Sequence, residues 1–310
     1  MDKIDVAVVG AGPAGLTSGI YLGRARLKTV IFEKAIAGGQ MAISEWIENY
    51  PGFSEGISGQ DLSMKMREQA VKCGAEIVEE EIVELGAGSL EPGAKGFILK
   101  TAGLKEYQAL AVVIAAGAVP RKMNVPGEEE FVGRGVSYCA TCDAPLFKEK
   151  TVVVVGGGDT AVQEAIFLAK YAKKVYLAHR RDRLRATKIL AERLLANKKI
   201  EPIWSSVLTG INGDKKVTSA VVSGRKIECD GVFIFAGIVP SSRIVKELVD
   251  VDEAGHIITD ENMNTSRKGI FACGDVRKKS LWQVVTACGD AAVAAVSAQY
   301  YVENLKGTAY

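Results

Sequence analysis

Histidine is nearly absent from the 310-residue sequence: only His179 and His256 occur, far apart. A tetrahedral zinc site needs four ligands, usually supplied in close pairs, so this chain is poorly equipped for one. An excess of charge of one sign is missing too. The 39 Lys and Arg face 37 Asp and Glu, and a net charge of +2 leaves no global field for nucleic acid or an anionic membrane. No apolar run reaches the roughly 18 to 20 residues of a membrane span. The opening "MDKIDVAVVGAG" carries neither a basic leader nor an apolar signal core. These absences predict a soluble, cytoplasmic protein with no metal and no nucleic-acid or membrane partner.

With 48% hydrophobic residues the chain can bury two ordinary cores. Its first segment, "IDVAVVGAGPAGLTSGIYLGRARLKTVIFEK", reads as an apolar β run, a glycine turn, an amphipathic helix and a second apolar run ending at Glu33. Gly10, Gly12 and Gly15 form G-x-G-x-x-G between strand and helix, the context that marks a dinucleotide pocket rather than a turn of some other α/β fold. Gly10 permits the tight turn, Gly12 lets the backbone approach a pyrophosphate, and Gly15 lets helix and strand pack closely. The helix start then supplies free N–H groups for the phosphates. Glu33 stands at the second strand tip, placed for ribose hydroxyls.

The segment repeats. Shifted by 146 positions it overlays "TVVVVGGGDTAVQEAIFLAKYAKKVYLAHRR", with Val6, Val8, Val9, Gly10, Gly12, Ile20, Leu22 and Lys28 meeting identical residues. The second copy has Gly156, Gly158 and Ala161 in the glycine positions, and in the register of Glu33 it has His179, followed by Arg180 and Arg181. An acid there accepts from a free 2′-hydroxyl, whereas an imidazole and two guanidiniums match a 2′-phosphate. The second pocket therefore points to NADPH and the first to a nucleotide with an unphosphorylated ribose. A solvated basic face or a nucleic-acid patch is the competing reading of "HRRDRLRATK", and its place at a strand end favours the cofactor.

"VVIAAGAVPR" at 112–121 and "VFIFAGIVPS" at 232–241 also repeat, each an apolar strand closing on Gly and then Pro. Each reads as the last strand of a nucleotide domain. The expected architecture is α/β: two Rossmann-like three-layer domains, the second, 118–242, inserted into a first made of 1–117 and 243–310. In the last third, "GIFACGDV" ends a short strand at Gly274-Asp275, where an acid could accept from a polyol such as the ribityl chain of FAD.

Cysteine usage singles out one feature. Cys73, Cys229, Cys273 and Cys288 are isolated and expected as small, inert core residues, but Cys139 and Cys142 form C-x-x-C within "YCATCDAPLF". A metal clip lacks partner ligands, and a permanent staple is disfavoured in a reducing compartment. A working dithiol remains: at a helix start, dipole and neighbouring sulfur lower one thiol below its free pKa of about 8.5, and Asp143 can hold the proton that exchange moves.

In order, "GAGPAG", "GGQ" at 38–40, "ENYPGF" at 48–53, "CATCD" at 139–143, "GGGDTA" at 156–161, "HRRDRLRA" at 179–186 and "GDV" at 274–276 make nearly the whole chain resemble the low-molecular-weight, prokaryotic thioredoxin reductases, a branch of the pyridine nucleotide-disulfide oxidoreductases. The resemblance implies FAD in the first domain, NADPH in the inserted one, homodimerisation, and electron flow from NADPH through FAD and the Cys139–Cys142 disulfide to thioredoxin or a thioredoxin-like protein. It implies that Cys142 takes electrons from the flavin, Cys139 attacks the partner disulfide and Asp143 protonates a leaving thiolate. It extends the FAD set to Pro13, Ala14, Lys34, Gly39, Gln40, Asn49, Ala116, Gly117, Gln283 and Val284, and the NADPH set to Asp159, Thr160 and Arg185. The family is also known for turning its inserted domain.

Three features depart from that pattern: Ala144-Pro145-Leu146 replaces a glycine and aromatics, Trp282 stands where an arginine is common, and Cys273 and Cys288 are additional thiols. Competing functions are a flavin-dependent disulfide-forming oxidase, which has no use for a 2′-phosphate clamp, a thiol reductase serving another partner, and a redox sensor without turnover.

Overall fold

The computed structural model describes residues 2–44, 46–91 and 94–308. Seven α-helices occur among them: α1 (Pro13–Arg24), α2 (Gly39–Ala42), α3 (Gly59–Lys72), α4 (Ala140–Asp143), α5 (Asp159–Tyr171), α6 (Lys188–Leu195) and α7 (Val284–Lys306). The chain divides into two compact units. One joins Met1–Val119 to Val239–Tyr310, and the other is Pro120–Ile238.

In the first unit, strands Glu76–Val78, Thr29–Phe32, Asp2–Val9, Glu106–Ile114 and Ile270–Ala272 run parallel in that order. The antiparallel pair Ile82–Glu91 and Ala94–Thr101 joins the near half of the fourth strand, Phe97 opposite Ala109, while its far half pairs Val112 with Ile270. Val6, Val8, Ala111 and Val113 face α1, α3 and α7. Ala7, Val9, Val112 and Ile114 face Leu85, Phe97 and Leu99 on the other side. Burial on both faces is why these strands read as unbroken apolar runs instead of alternating ones. α3 starts at Ser58, whose Oγ accepts the Asp61 N–H. α7 stops at Gly307, which takes the left-handed conformation.

The second unit repeats the plan. Strands Ile200–Ile203, Lys174–Ala178, Thr151–Val155, Gly231–Ile234 and Val136–Ser137 are parallel in that order. Val152, Val154 and Phe233 pack on α5 and on Leu194 of α6. Val153, Val155, Val232 and Ile234 pack on the antiparallel strands Leu208–Gly213, Val217–Val222 and Arg225–Glu228. Each unit is thus an α/β layered domain, and the strand–turn–helix of one copy falls on that of the other. Among the described residues no helix is long and apolar enough to cross a membrane, and no group of three His, Cys, Asp or Glu is placed to hold a metal ion.

Candidate active site

The first glycine turn is built by three different constraints. At Gly10, φ is +103° and a Cβ would lie 2.5 Å from the Ala115 carbonyl oxygen and 3.0 Å from the Ala116 Cα. At Gly15 a Cβ would sit 1.7 Å from the Gly10 carbonyl oxygen. Both glycines are therefore needed by the protein itself. Gly12 differs: its φ of −71° suits any residue, and nothing lies within 4 Å of its Cβ position. That side is open, so no contact within the protein requires glycine there. α1 begins at once with Pro13 at its first position and no side-chain cap, leaving the remaining N–H groups of its first turn uncapped by any side chain.

The other residues expected around this turn come to it from across the sequence. Glu33 accepts the Ala11 N–H (2.8 Å) and the Ala35 N–H (3.2 Å), so the acid expected at a ribose is a brace of the loop, a role its strand-end position did not reveal. Gly38 donates to the Ala11 carbonyl at 2.8 Å, and a Cβ on Gly39 would lie 3.4 Å from the Gly12 Cα. Lys34 and Gln40 are exposed beside it. Gly274 (φ +76°) packs on Ala14, 2.9 Å from its Cβ position. Asn49 Nδ2 donates to Gln283 Oε1 at 2.9 Å, and Gln283 in turn caps α7 just before Val284. Gly117 holds a left-handed φ of +65° with its Cβ side open.

Asp275 supplies the test of fit. Its Oδ1 is buried without a hydrogen-bond partner, with Lys279 Nζ 3.6 Å away. Burial pushes its carboxyl up, against the pull of the Lys279 ammonium. A buried carboxylate oxygen short of a donor suits a polyol hydroxyl. Together with the open face of Gly12, it makes these residues fit FAD.

In the second unit, Gly156 (φ +149°) would place a Cβ 2.6 Å from both the Ala161 Cβ and the Phe235 carbonyl oxygen, while Gly158 is open except for Arg185 Nη2 at 4.0 Å. Arg185 is tied to the turn by its own N–H, which donates to the Gly157 carbonyl at 2.7 Å. Asp159 accepts the Thr187 N–H at 2.6 Å, and Thr160 beside it is exposed. Arg180, Arg181 and Arg185 are exposed around this turn. His179, expected with the arginines at a phosphate, lies beneath the turn. It is 4% exposed, its ring occupies the space a Gly157 side chain would need, and its Nε2 has no partner. Burial, then the neighbouring Arg185, holds its pKa below the ordinary value. The ring is the floor of the glycine turn.

Cys139 and Cys142 form a disulfide with 5.4 Å between Cα atoms. Cys139 is the N-cap of α4, and its Sγ accepts the Cys142 N–H at 3.1 Å. The sequence expected a helix dipole to acidify a thiol here. α4 is a single turn followed by a 3₁₀ turn, Ala144–Phe147, so little dipole accumulates, and the individual N–H does the local work. Pro145 sits within the first positions of that 3₁₀ turn, where its lacking N–H costs nothing. Cys142 is exposed and Cys139 and Asp143 are half-buried. Ser137 Oγ accepts the Cys139 N–H and donates to the Cys139 carbonyl.

Several functional neighbours were not legible. Asp290 on α7 accepts from Arg277 (3.0 Å), Lys279 (3.0 Å) and the Gly274 N–H (3.3 Å), fixing the Gly274-Asp275 turn. Cys288, expected to be buried and inert, is half-buried. It takes the Tyr50 hydroxyl at 3.9 Å and lies 4.0 Å from the Pro13 carbonyl. Cys273 fits the expectation: it is fully buried, and burial pushes its thiol up to about 12. Trp282 packs on His256, ring centroids 5.6 Å apart. Tyr138, just before the dithiol, donates to Glu128 at 2.6 Å.

The profile of the pyridine nucleotide-disulphide oxidoreductases matches residues 4–291. A thioredoxin reductase of Bacillus subtilis is 48% identical over 311 residues, spanning 98% of this chain and 96% of its own length. One from Listeria innocua is 49% identical over 309 residues, with 97% and 95% covered. Among solved structures, Lactococcus lactis thioredoxin reductase superposes with a TM-score of 0.92 at 42% identity, covering 97% of this chain and 99% of that one.

Two predictions follow from the site geometry. Gly12→Ala has room to fold and should melt within about 1 kcal/mol of wild type, yet lose FAD affinity by roughly tenfold or more because the methyl occupies the ligand's side. Gly15→Ala, forced against a carbonyl, should lose at least about 3 kcal/mol. Equal stability of the two variants in thermal melts would contradict this reading of the turn.

Glu128 contributes to the acid limb of stability. Burial disfavours its charge, but the Tyr138 hydroxyl and the Met123 and Val125 amides outweigh burial and hold the carboxyl below the ordinary range. A folded pKa below the unfolded one gives stability that is full above the unfolded value, near pH 4.3, and lost as pH falls through the folded value. Glu128→Gln should therefore show a shallower fall of Tm with acid below about pH 4.5. An unchanged slope would remove Glu128 from that role.

Proposed function

The chain belongs to the pyridine nucleotide-disulphide oxidoreductase family, and on that premise we propose that it is an NADPH-dependent thioredoxin reductase, a flavoprotein that reduces the disulfide of thioredoxin or a thioredoxin-like protein. The observation that carries the reading is the Cys139–Cys142 disulfide, in a unit that also holds a glycine turn ringed by arginines. In the net reaction, NADPH, a proton and the partner disulfide give NADP⁺ and the partner dithiol. FAD, when bound, supplies a two-electron carrier between a nicotinamide hydride and a disulfide.

The chain's own residues do the rest. The turn Gly10–Gly15 and the start of α1 bind the FAD pyrophosphate, Glu33 its ribose, and Asp275 its ribityl hydroxyls, with Gly39, Asn49 and Gln283 closing the pocket. The turn Gly156–Ala161 binds the NADPH pyrophosphate, and Arg180, Arg181 and Arg185 the 2′-phosphate, over the buried His179 ring. The unit of residues 1–119 and 239–310 is accordingly the FAD domain and 120–238 the NADPH domain. Once the pair is reduced, Cys139 attacks a sulfur of the partner disulfide, its thiolate held by the Cys142 N–H already directed at that sulfur. Asp143 donates the proton to the leaving thiolate. Cys142 then attacks the mixed disulfide, closing Cys139–Cys142 and releasing the second partner thiol. A homodimer in the cytoplasm completes the proposal. The arginines around the second turn speak against an oxidase, which spends no NADPH.

Turnover is tested by NADPH-driven, thioredoxin-coupled disulfide reduction. Cys139→Ser and Cys142→Ser should each abolish it, and full activity in either would exclude the dithiol relay. The double variant Arg180→Gln/Arg181→Gln should raise the KM for NADPH by roughly tenfold or more with little change for NADH, because charge-assisted contacts to the phosphate are lost. If wild type uses NADH as well as NADPH, the arginine assignment fails.

A further inference from the structure

His256 holds a buried atom without a partner, and the chemistry described so far gives it no task. The residue is 9% exposed, and its Nε2 makes no hydrogen bond among the described residues. On the other edge of the ring, Nδ1 lies 3.5 Å from Asp252 Oδ1, the oxygen that also accepts the His256 and Ala254 N–H groups. The ring rests on Trp282, centroids 5.6 Å apart. One edge is anchored and one face is covered, and the Nε2 edge is left over.

That edge belongs to the neighbourhood of Asp275. The Ile257 N–H donates to the Val276 carbonyl at 2.9 Å and the Lys278 N–H to the Ile257 carbonyl at 2.9 Å, so His256 and Asp275 stand at the same end of two parallel segments. A charge on His256 pulls the Asp275 carboxyl down, which sets the two side chains within electrostatic reach. The nearby cations are engaged elsewhere. Arg277 binds Thr259 at 2.8 Å and Asp290 at 3.0 Å, while Lys279 binds Asp290 at 3.0 Å and stops 3.6 Å from Asp275 Oδ1. Two buried polar atoms are thus left open in one region, an Asp275 oxygen and a histidine nitrogen. Folded proteins seldom leave such atoms unpaired unless water or a ligand completes them.

From this pairing we propose that His256 is a further FAD-binding residue, whose Nε2 takes one hydroxyl of the ribityl chain while Asp275 takes another. A polyol is the group that fits both atoms. One hydroxyl donates to the carboxylate, and a second on the same chain donates to a neutral imidazole or accepts from a protonated one, so the contact survives either state of the ring. A carbonyl or an ammonium would suit only one of those states. Asp252 and Trp282 then serve the site by holding the ring in one orientation. The inference rests on the reading of FAD in this unit, and it adds a residue that neither glycine turn nor strand end marks in the sequence.

The experiment strips FAD from the full-length protein and measures rebinding of FAD and of ADP, which shares the adenosine and pyrophosphate but has no ribityl chain. His256→Phe keeps a ring against Trp282 and removes both nitrogens. It should weaken FAD by about fivefold to tenfold and leave ADP within about twofold of wild type. His256→Gln, whose amide both donates and accepts, should bring FAD back to within about threefold. Because the chain has only two histidines, NMR of isotope-labelled imidazoles reads the contact in the unsubstituted protein as well. The His256 Nε2 resonance should move on loading with FAD and stay in place with ADP. FAD affinity of the Phe variant within about twofold of wild type, or an Nε2 resonance that FAD leaves unmoved, would overturn the proposal. An equal loss of FAD and ADP in that variant would overturn it too, as the mark of a packing role. Wild-type protein that takes up no FAD at all would overturn the flavin reading along with it.

Discussion

The structure depends on how close a helix start can be brought to the end of the strand before it. In the first unit the α1 backbone at Gly15 lies so near the Gly10 carbonyl that no side-chain atom fits between them. In the second, Gly156 is pressed between Ala161 and Phe235 in the same way. That approach aims the free amides of each helix at the open side of Gly12 or Gly158, where phosphates can be held without a cationic side chain. The sheets, the helices on one face and the antiparallel strands on the other bury enough apolar surface to keep the two turns under this compression.

Much of this was legible because it rests on local steric rules. A glycine that must adopt positive φ, or touch a backbone, leaves a mark in the sequence, and its repetition 146 residues later marks the second copy. The cysteine pair was legible for a similar reason, since only spacing decides whether one turn can join the sulfurs. The illegible features are contacts between residues distant in sequence. Nothing in "DTAVQEA" says that Glu164 reaches Ala140, or in "TACGDAAV" that Asp290 gathers Arg277, Lys279 and the Gly274 amide. His179 illustrates the boundary. Its position at the strand end was right, but whether its ring would meet solvent or Gly157 depended on the turn above it.

Exposed arginines stand around the second glycine turn, where the proposed function puts a 2′-phosphate. Asp275 is a half-buried acid with one buried oxygen unpartnered, tolerable because Lys279 is near and Asp290 holds that lysine in place. The departures from the family pattern are absorbed locally. Trp282 finds His256 to pack against, and Pro145 enters a 3₁₀ turn that has no use for its missing N–H.

The central claim is that one chain couples a flavin to the Cys139–Cys142 disulfide as a single electron store filled by NADPH. An anaerobic titration of the FAD-loaded protein measures the capacity of that store directly. Flavin and disulfide each accept two electrons, so roughly two equivalents of NADPH per chain should be consumed before excess NADPH absorbance accumulates, with two new thiols on trapping. An endpoint at about one equivalent, with the disulfide intact while the flavin is fully bleached, would contradict the account.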